Sequence, residues 1–180
     1  DICILSSALN QSKYDLLIEN YFDKISKKDG ITSLNTAFSS EGSFIHIPKN
    51  VQVDKPIQVI YFSTGKNESV FYQPRNLIIV GENSQVEIIE RHQSLSENSV
   101  LVNSVSEIYC NVRSVVKHYK IQNDKTNASL IDNTFVSQER NSDYSLHTFS
   151  LGGELTRNNL SILQNGERIE STINGITIIG

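Results

Sequence analysis

The chain has 180 residues, a net charge of −4, a pI near 5.6 and 38% hydrophobic residues. That length suffices for one domain with a substantial core, and the acidic balance argues against a broad nucleic-acid surface. No apolar run approaches the ~20 residues of a membrane-spanning helix. The first residues, DICILSSALNQ, carry neither a basic start nor an apolar core of signal-peptide length. The chain starts at Asp1 and contains no Met, so a fragment or a processed chain is expected.

From Ser12 to Lys28 the apolar positions Tyr14, Leu17, Ile18, Tyr21, Phe22 and Ile25 recur in steps of three and four. This spacing predicts one helix with a single apolar stripe, capped by Ser12 and stopped at Gly30. The stripe is expected to pack on the sheet that follows. Beyond Leu34 the pattern becomes short runs and period-two alternation. Phe44–Ile47 reads as a strand ended by Pro48, and Ile57–Phe62 as another after Pro56. Leu77–Val80 and Val86–Ile89 flank a Gly-Glu-Asn-Ser-Gln corner. Residues 138–143 read as an exposed corner. Leu160–Leu163, the corner 165–168, Ile169 and the run Ile176–Ile179 repeat the theme. Strand, polar corner, strand without long helices fits a stacked solenoid or a sandwich.

Ile88, Ile108, Leu130, Phe149 and Ile169 lie 19 to 22 residues apart, and Val59, Ile79, Val100 and Tyr119 follow a similar step. A register near 20 residues is what a parallel β-helix shows. Ile88, Ile108 and Ile169 are expected to point into one continuous core.

Chemistry-bearing residues are sparse. His46, His92, His118 and His147 stand apart, and no HExxH, GxSxG or phosphate loop is present. Glu82, Glu87, Glu90 and Glu107 are spread as on a solvated face. Cys3 and Cys110 form no CxxC pair, and two ordinary thiols are expected. The N-x-S/T triplets, such as those starting at Asn67 and Asn127, are expected from chance in a chain rich in Asn and Ser. The weak metal candidates are His92 and Cys110. His92 shares a strand face with Glu90, a pairing that could bind or tune a soft metal. Cys110 alternates with Ile108 and Val112, so it is expected to be buried and a poor thiolate.

Leu34–Phe38 followed by Phe44–Lys49, and Arg75–Gly81, resemble the core-domain entry of the SufB/SufD family. Gly152–Leu160 and Asn174-Gly175 resemble its SufD branch. The resemblance runs from about Leu34 to Gly180. It implies an all-β fold, a right-handed parallel β-helix over residues 34–180, behind an N-terminal helical segment at 1–33. It also implies that the chain is cut short at its C-terminal end. Further coils, a helical segment that docks SufC and the interface Cys/His positions would lie beyond Gly180.

The departures from SufB are specific. Tyr61-Phe62 is followed by Ser63-Thr64-Gly65 where SufB relatives carry Arg-x-Asn. His92 stands where SufB tends to have a cysteine. Gln122-Asn123-Asp124 replaces Gln-Asn-Trp, and Gln138 replaces a basic residue. The resemblance therefore implies a non-catalytic scaffold subunit of cytoplasmic iron–sulfur cluster assembly. Its partners would be a SufB-like paralogue and a SufC-like ATPase, with a cluster held only transiently in the full complex. No catalytic residue, metal, nucleotide, nucleic acid or membrane is expected for this chain alone. Self-association into a homodimer through the C-terminal coils or a strand edge is expected. The other function class is a stand-alone β-helix that binds or cleaves polysaccharide, which would want an acidic or aromatic groove.

Overall fold

The structure is a computed structural model and describes residues 1–39, 41–64 and 68–178. Ile179 and Gly180 of the last expected run, and Gly65 and Asn67, lie outside the described residues. Two strand-rich layers face each other. The strands are β1 (Ile2–Ile4), β2 (Ser43–Ile47), β3 (Ile57–Ser63), β4 (Val70–Tyr72), β5 (Arg75–Val80) and β6 (Gln85–Ser94). They continue as β7 (Val100–Cys110), β8 (Val115–Gln122), β9 (Ala128–Gln138), β10 (Asp143–Leu151), β11 (Leu155–Gln164) and β12 (Glu170–Ile178). One sheet runs β1-β2-β5-β7-β9-β11, with β4 also on β7; the other runs β3-β6-β8-β10-β12. Every pairing is parallel except β1 with β2. The chain alternates between the sheets, so it climbs as a β-solenoid of about four turns.

The coil repeat differs from the expected 20 residues. Ile78 pairs with Ile108, Ile108 with Val136, and Val136 with Ile162, steps of 30, 28 and 26. The steps near 20 joined residues on successive strands of opposite sheets, such as Ile88 on β6 and Ile108 on β7. Those two do meet in one core, with Ile45, Val80, Cys110, Val116, Val136 and Tyr144. Ile169 does not: it is half-buried in the corner before β12.

One corner recurs on every coil. Asn50, Asn83, Arg113, Asn141 and Arg168 all take positive φ, between 56° and 60°. Each of the first four stacks on the next coil or receives it: Asn50 N–H bonds Glu82 O, Asn83 N–H bonds Val112 O, Arg113 N–H bonds Arg140 O and Asn141 N–H bonds Glu167 O. Asn tolerates this left-handed conformation better than other side chains. Gly81, two residues before Asn83, is held tightly: a Cβ there would meet Lys49 N at 2.6 Å.

The helical lead is more broken than expected. Ser12–Tyr14 is a 3-10 turn, followed by α2 (Asp15–Tyr21), with α1 at Leu5–Leu9 before them. Helix α2 stops early because Phe22 is extended (φ −73°, ψ 128°) and Asp23 takes φ 58°. Gly30 opens a further helix, α3 (Gly30–Phe38), and does not end one. Asp29 caps α3 by accepting from Thr32 N–H at 2.9 Å. The stacked parallel strands therefore begin at Ser43, not at Leu34. The apolar stripe packs as expected: Tyr14, Leu17, Ile18, Tyr21, Phe22 and Ile25 cover Phe44, Leu77, Ile79 and Tyr109 on the outer face of the longer sheet.

Candidate functional site

Parallel strands in register place like positions above one another, so each inward residue forms a row along the solenoid. On the shorter sheet one row is Tyr61, His92, Gln122 and Ser150, and the next is Val59, Glu90, Lys120 and Thr148. Opposite them, the longer sheet offers Ser104 and Asp132, and Asn76, Ser106 and Thr134. The interior is therefore polar at mid-strand. Apolar clusters close it on both sides, one around Ile108 and Val116, the other around Val102 and Leu130.

Glu90 is the hub of this polar band. Its Oε1 lies 2.9 Å from His92 Nε2 and its Oε2 lies 3.1 Å from His118 Nε2. A carboxylate only accepts, so Nε2 carries the hydrogen on both imidazoles. Lys120 Nζ lies 3.6 Å from Glu90 Oε2 and donates to Asp132 Oδ2 at 2.5 Å and to Thr134 Oγ1 at 2.8 Å. His118 Nδ1 lies 3.1 Å from Tyr144 Oη. His92 stacks on Tyr61, with ring centroids 4.7 Å apart.

The electrostatics follow from burial and pairing. Burial alone would push the Glu90 carboxyl up, but the Lys120 ammonium and the hydrogen bonds from His118 and His92 outweigh it and hold the group well below the usual range. Burial would lower Lys120, but Asp132 and Glu90 outweigh it and hold the ammonium above its ordinary value. Both ions are kept charged in the interior, the condition under which buried ion pairs persist.

The expectation of a solvated acidic face fails for two residues. Glu90 is 2% exposed and Glu107 is fully buried. Glu107 faces outward from β7, under the N-terminal segment. There it accepts N–H from Asp23, Ile25 and Ser26, and a guanidinium hydrogen from Arg75 at 2.6 Å.

Of the two metal candidates, His92 has Nε2 committed to Glu90. Its Nδ1 has no hydrogen-bond partner among the described residues, and His92 lines a cavity of about 10 Å³ with Gln122 and Asp132. Cys110 points inward beside Ile108 as expected and is 1% exposed; burial, and secondarily Asp143, push its thiol well up. His118, which the sequence left isolated, joins His92 on Glu90. His46 and His147 stay apart: His46 lies at the β1–β2 edge, and His147 stacks on Tyr119 on the outer face. Among the described residues no three His, Cys, Asp or Glu side chains converge as a metal site would require. Lys120 and Asp132 were not singled out from sequence. Opposite charges one 30-residue coil apart, Glu90 and Lys120, are the signal that finds them.

The SUF system FeS cluster assembly, SufBD core domain family model matches residues 61–180, and the SufBD protein N-terminal region model matches residues 2–59. The chain belongs to the SufBD family. A SufBD family protein of iron–sulfur cluster assembly from Synechocystis is 30% identical over 90% of this chain and 38% of its own length. SufD of Bacillus subtilis is 29% identical over 67% of this chain and 27% of its own length. SufB of Plasmodium falciparum is 37% identical over 62% of this chain and 24% of its own length. This SufBD chain thus spans well under half of the curated relatives it matches. No helix among its described residues is long and apolar enough to cross a membrane.

Proposed function

We propose that this SufBD chain is part of a SufD-type subunit, a non-catalytic scaffold of iron–sulfur cluster assembly. It would work in the cytoplasm with a SufB-like paralogue and a SufC-like ATPase, and a cluster would be held only transiently by the whole complex. The observation that carries this reading is the fate of the positions that depart from SufB. His92 is clamped by Glu90 and stacked on Tyr61. Gln122 donates to Asp124 and to the Gly152 carbonyl. Gln138 donates to the Glu170 carbonyl and accepts from Ser171. His92 ties β6 to β3, Gln122 ties β8 to the turn after β10, and Gln138 ties β9 to β12 of the other sheet, a structural use of the positions at which this chain departs from SufB. The sealed Cys110 adds to the case, because a cluster needs accessible thiolates or imidazoles converging on one place.

The test uses the full-length protein. It should co-purify with a SufB-like paralogue and a SufC-like ATPase expressed beside it. Alone, after anaerobic incubation with iron and sulfide and desalting, it should show no cluster absorption. A stoichiometric cluster that disappears in Cys110→Ala or His92→Ala would overturn the scaffold reading.

A further inference from the structure

The two sheets begin differently. The first strand of the longer sheet, β2, is covered on its outer edge by β1, antiparallel, with Ile2 opposite Ile45 and Ile4 opposite Ser43. The Asp1 ammonium adds a hydrogen bond to the His46 carbonyl at 2.8 Å. Among the described residues the first strand of the shorter sheet, β3, pairs with β6 alone.

The parity of β3 is fixed by one bond. Leu95 N–H donates to the Ser63 carbonyl, so Ser63 addresses the β6 side. In a parallel ladder alternate residues address opposite neighbours. Ile57, Val59, Tyr61 and Ser63 therefore bond β6, while Gln58, Ile60 and Phe62 turn their N–H and C=O groups to the open edge. Natural proteins blunt such edges with charges, proline or a covering segment. Ile57–Ser63 contains no charged residue and no proline. Ile60 and Phe62 are exposed instead.

A groove runs along this edge. One part, about 470 Å³, is lined by Ile60, Phe62, Val70 and Tyr72, with Tyr61, Ser63 and Thr64 as its polar side. It meets a second part of about 510 Å³ lined by Leu34, Phe38 and Phe71. Among the described residues Glu41 is the one charged side chain lining either part, and it lines both.

We propose that the open edge of β3 takes an extended segment of another polypeptide as an added strand, with apolar side chains and one lysine or arginine. The edge demands extended main chain, since only a strand answers three successive N–H and C=O pairs. The groove demands apolar side chains, and Glu41 demands the cation. A second copy of this chain pairing through β3 is disfavoured because Ile57–Ser63 brings no cation to answer Glu41. The groove meets the polar interior only at its rim, through Tyr61 and Ser63, and the proposal stands whether or not the scaffold reading does.

The experiment uses the full-length protein and a fluorescein-labelled, end-blocked peptide that alternates valine and threonine around a central lysine. Its fluorescence anisotropy should rise saturably, and hydrogen exchange should slow at Gln58, Ile60 and Phe62. Ile60→Pro deletes one edge N–H while sparing the bonds to β6, and should weaken binding by about tenfold or more. Ile60→Lys keeps the main chain and places a like charge beside the peptide's lysine, so it should weaken binding too if the proline variant misfolds. Glu41→Gln should abolish the preference for the lysine peptide over a glutamate-centred one. The proposal is overturned by an absence of saturable binding, or by binding that folded Ile60→Lys leaves intact. It is equally overturned if sedimentation shows a dimer that Ile60→Lys dissolves, which would assign the edge to a second copy.

Discussion

Arg75 and Glu107 form an ion pair with no solvent access to either side chain: Nη2 donates to Oε2 at 2.6 Å. The same carboxylate binds three backbone N–H groups of the Asp23–Ser26 loop, so it fastens the helical lead to β7. Removing one partner of a buried pair leaves an uncompensated charge. Glu107→Leu should cost roughly 3–5 kcal/mol. Urea denaturation measures the loss, and hydrogen exchange should show the amides of Asp23, Ile25 and Ser26 opening before the strands do. Unchanged protection at those three amides would contradict the fastening role.

The polar interior sets a pH window. The Glu90 carboxyl sits below its ordinary 4.5 in the folded chain, so its stabilisation is present above that value and lost as pH falls through the folded one. Lys120 sits above its ordinary 10.5, so its contribution is present below 10.5 and lost as pH rises through the folded value. Stability measured by urea should hold through the neutral range and fall on acidification below about 4.5. Glu90→Gln should flatten that acid limb. An acid limb of equal steepness in the variant would remove Glu90 from the account.

Ile108 lies at the centre of the apolar cluster and is fully buried. Ile108→Ala should cost about 2–5 kcal/mol through the cavity it leaves. Ile108→Asp should unfold the domain, because it buries a carboxylate with no partner. Circular dichroism and thermal melts separate the two, and a folded Ile108→Asp protein with unchanged melting would refute the shared core.

Cys110 gives a chemical probe of the same interior. Its thiol is sealed and pushed up by burial, so a disulfide reagent should leave it untouched in the folded protein. Reaction should appear in step with urea unfolding. Fast labelling of Cys110 in the native protein, with Cys3 replaced by Ser, would show that the coil opens far more readily than its packing implies.

The strands were legible because their cause is local: Ile and Val runs bounded by Gly, Asn and Pro. The polar corners at 81–85 and 165–168 were legible for the same reason, whereas 138–143, expected to be exposed, buries Gln138 and Ser142 and leaves Arg140 alone exposed. The coil length was not, because the eye joins Ile88 to Ile108, which face each other from opposite sheets, before it joins Ile78 to Ile108, which stack. The interior charges were hidden for a related reason. Glu90 meets His118 and Lys120 one coil away, and Lys120 meets Asp132 across the interior, so no short window of sequence holds the cluster. Helix α2 stopped short because Glu107, 84 residues past Asp23, captures the loop backbone. Periodicity along the helix itself carries no trace of that contact.

The repeated left-handed corner has a consequence for how this chain can vary. Asn50, Asn83, Arg113, Asn141 and Arg168 stack at one end of every coil, though the intervals between them shrink from 33 residues to 27. The coils therefore differ in length on their opposite side, where the chain crosses from the shorter sheet back to the longer one. The corner acts as a phase reference from which each β-strand starts on the correct face. A residue gained or lost between Ser94 and Val100, or between Gln122 and Ala128, is absorbed in the turn. A residue gained at Asn83 or Asn141 would turn the following strand inside out, placing Glu87 or Ser145 where Ile88 or Leu146 now fills the core.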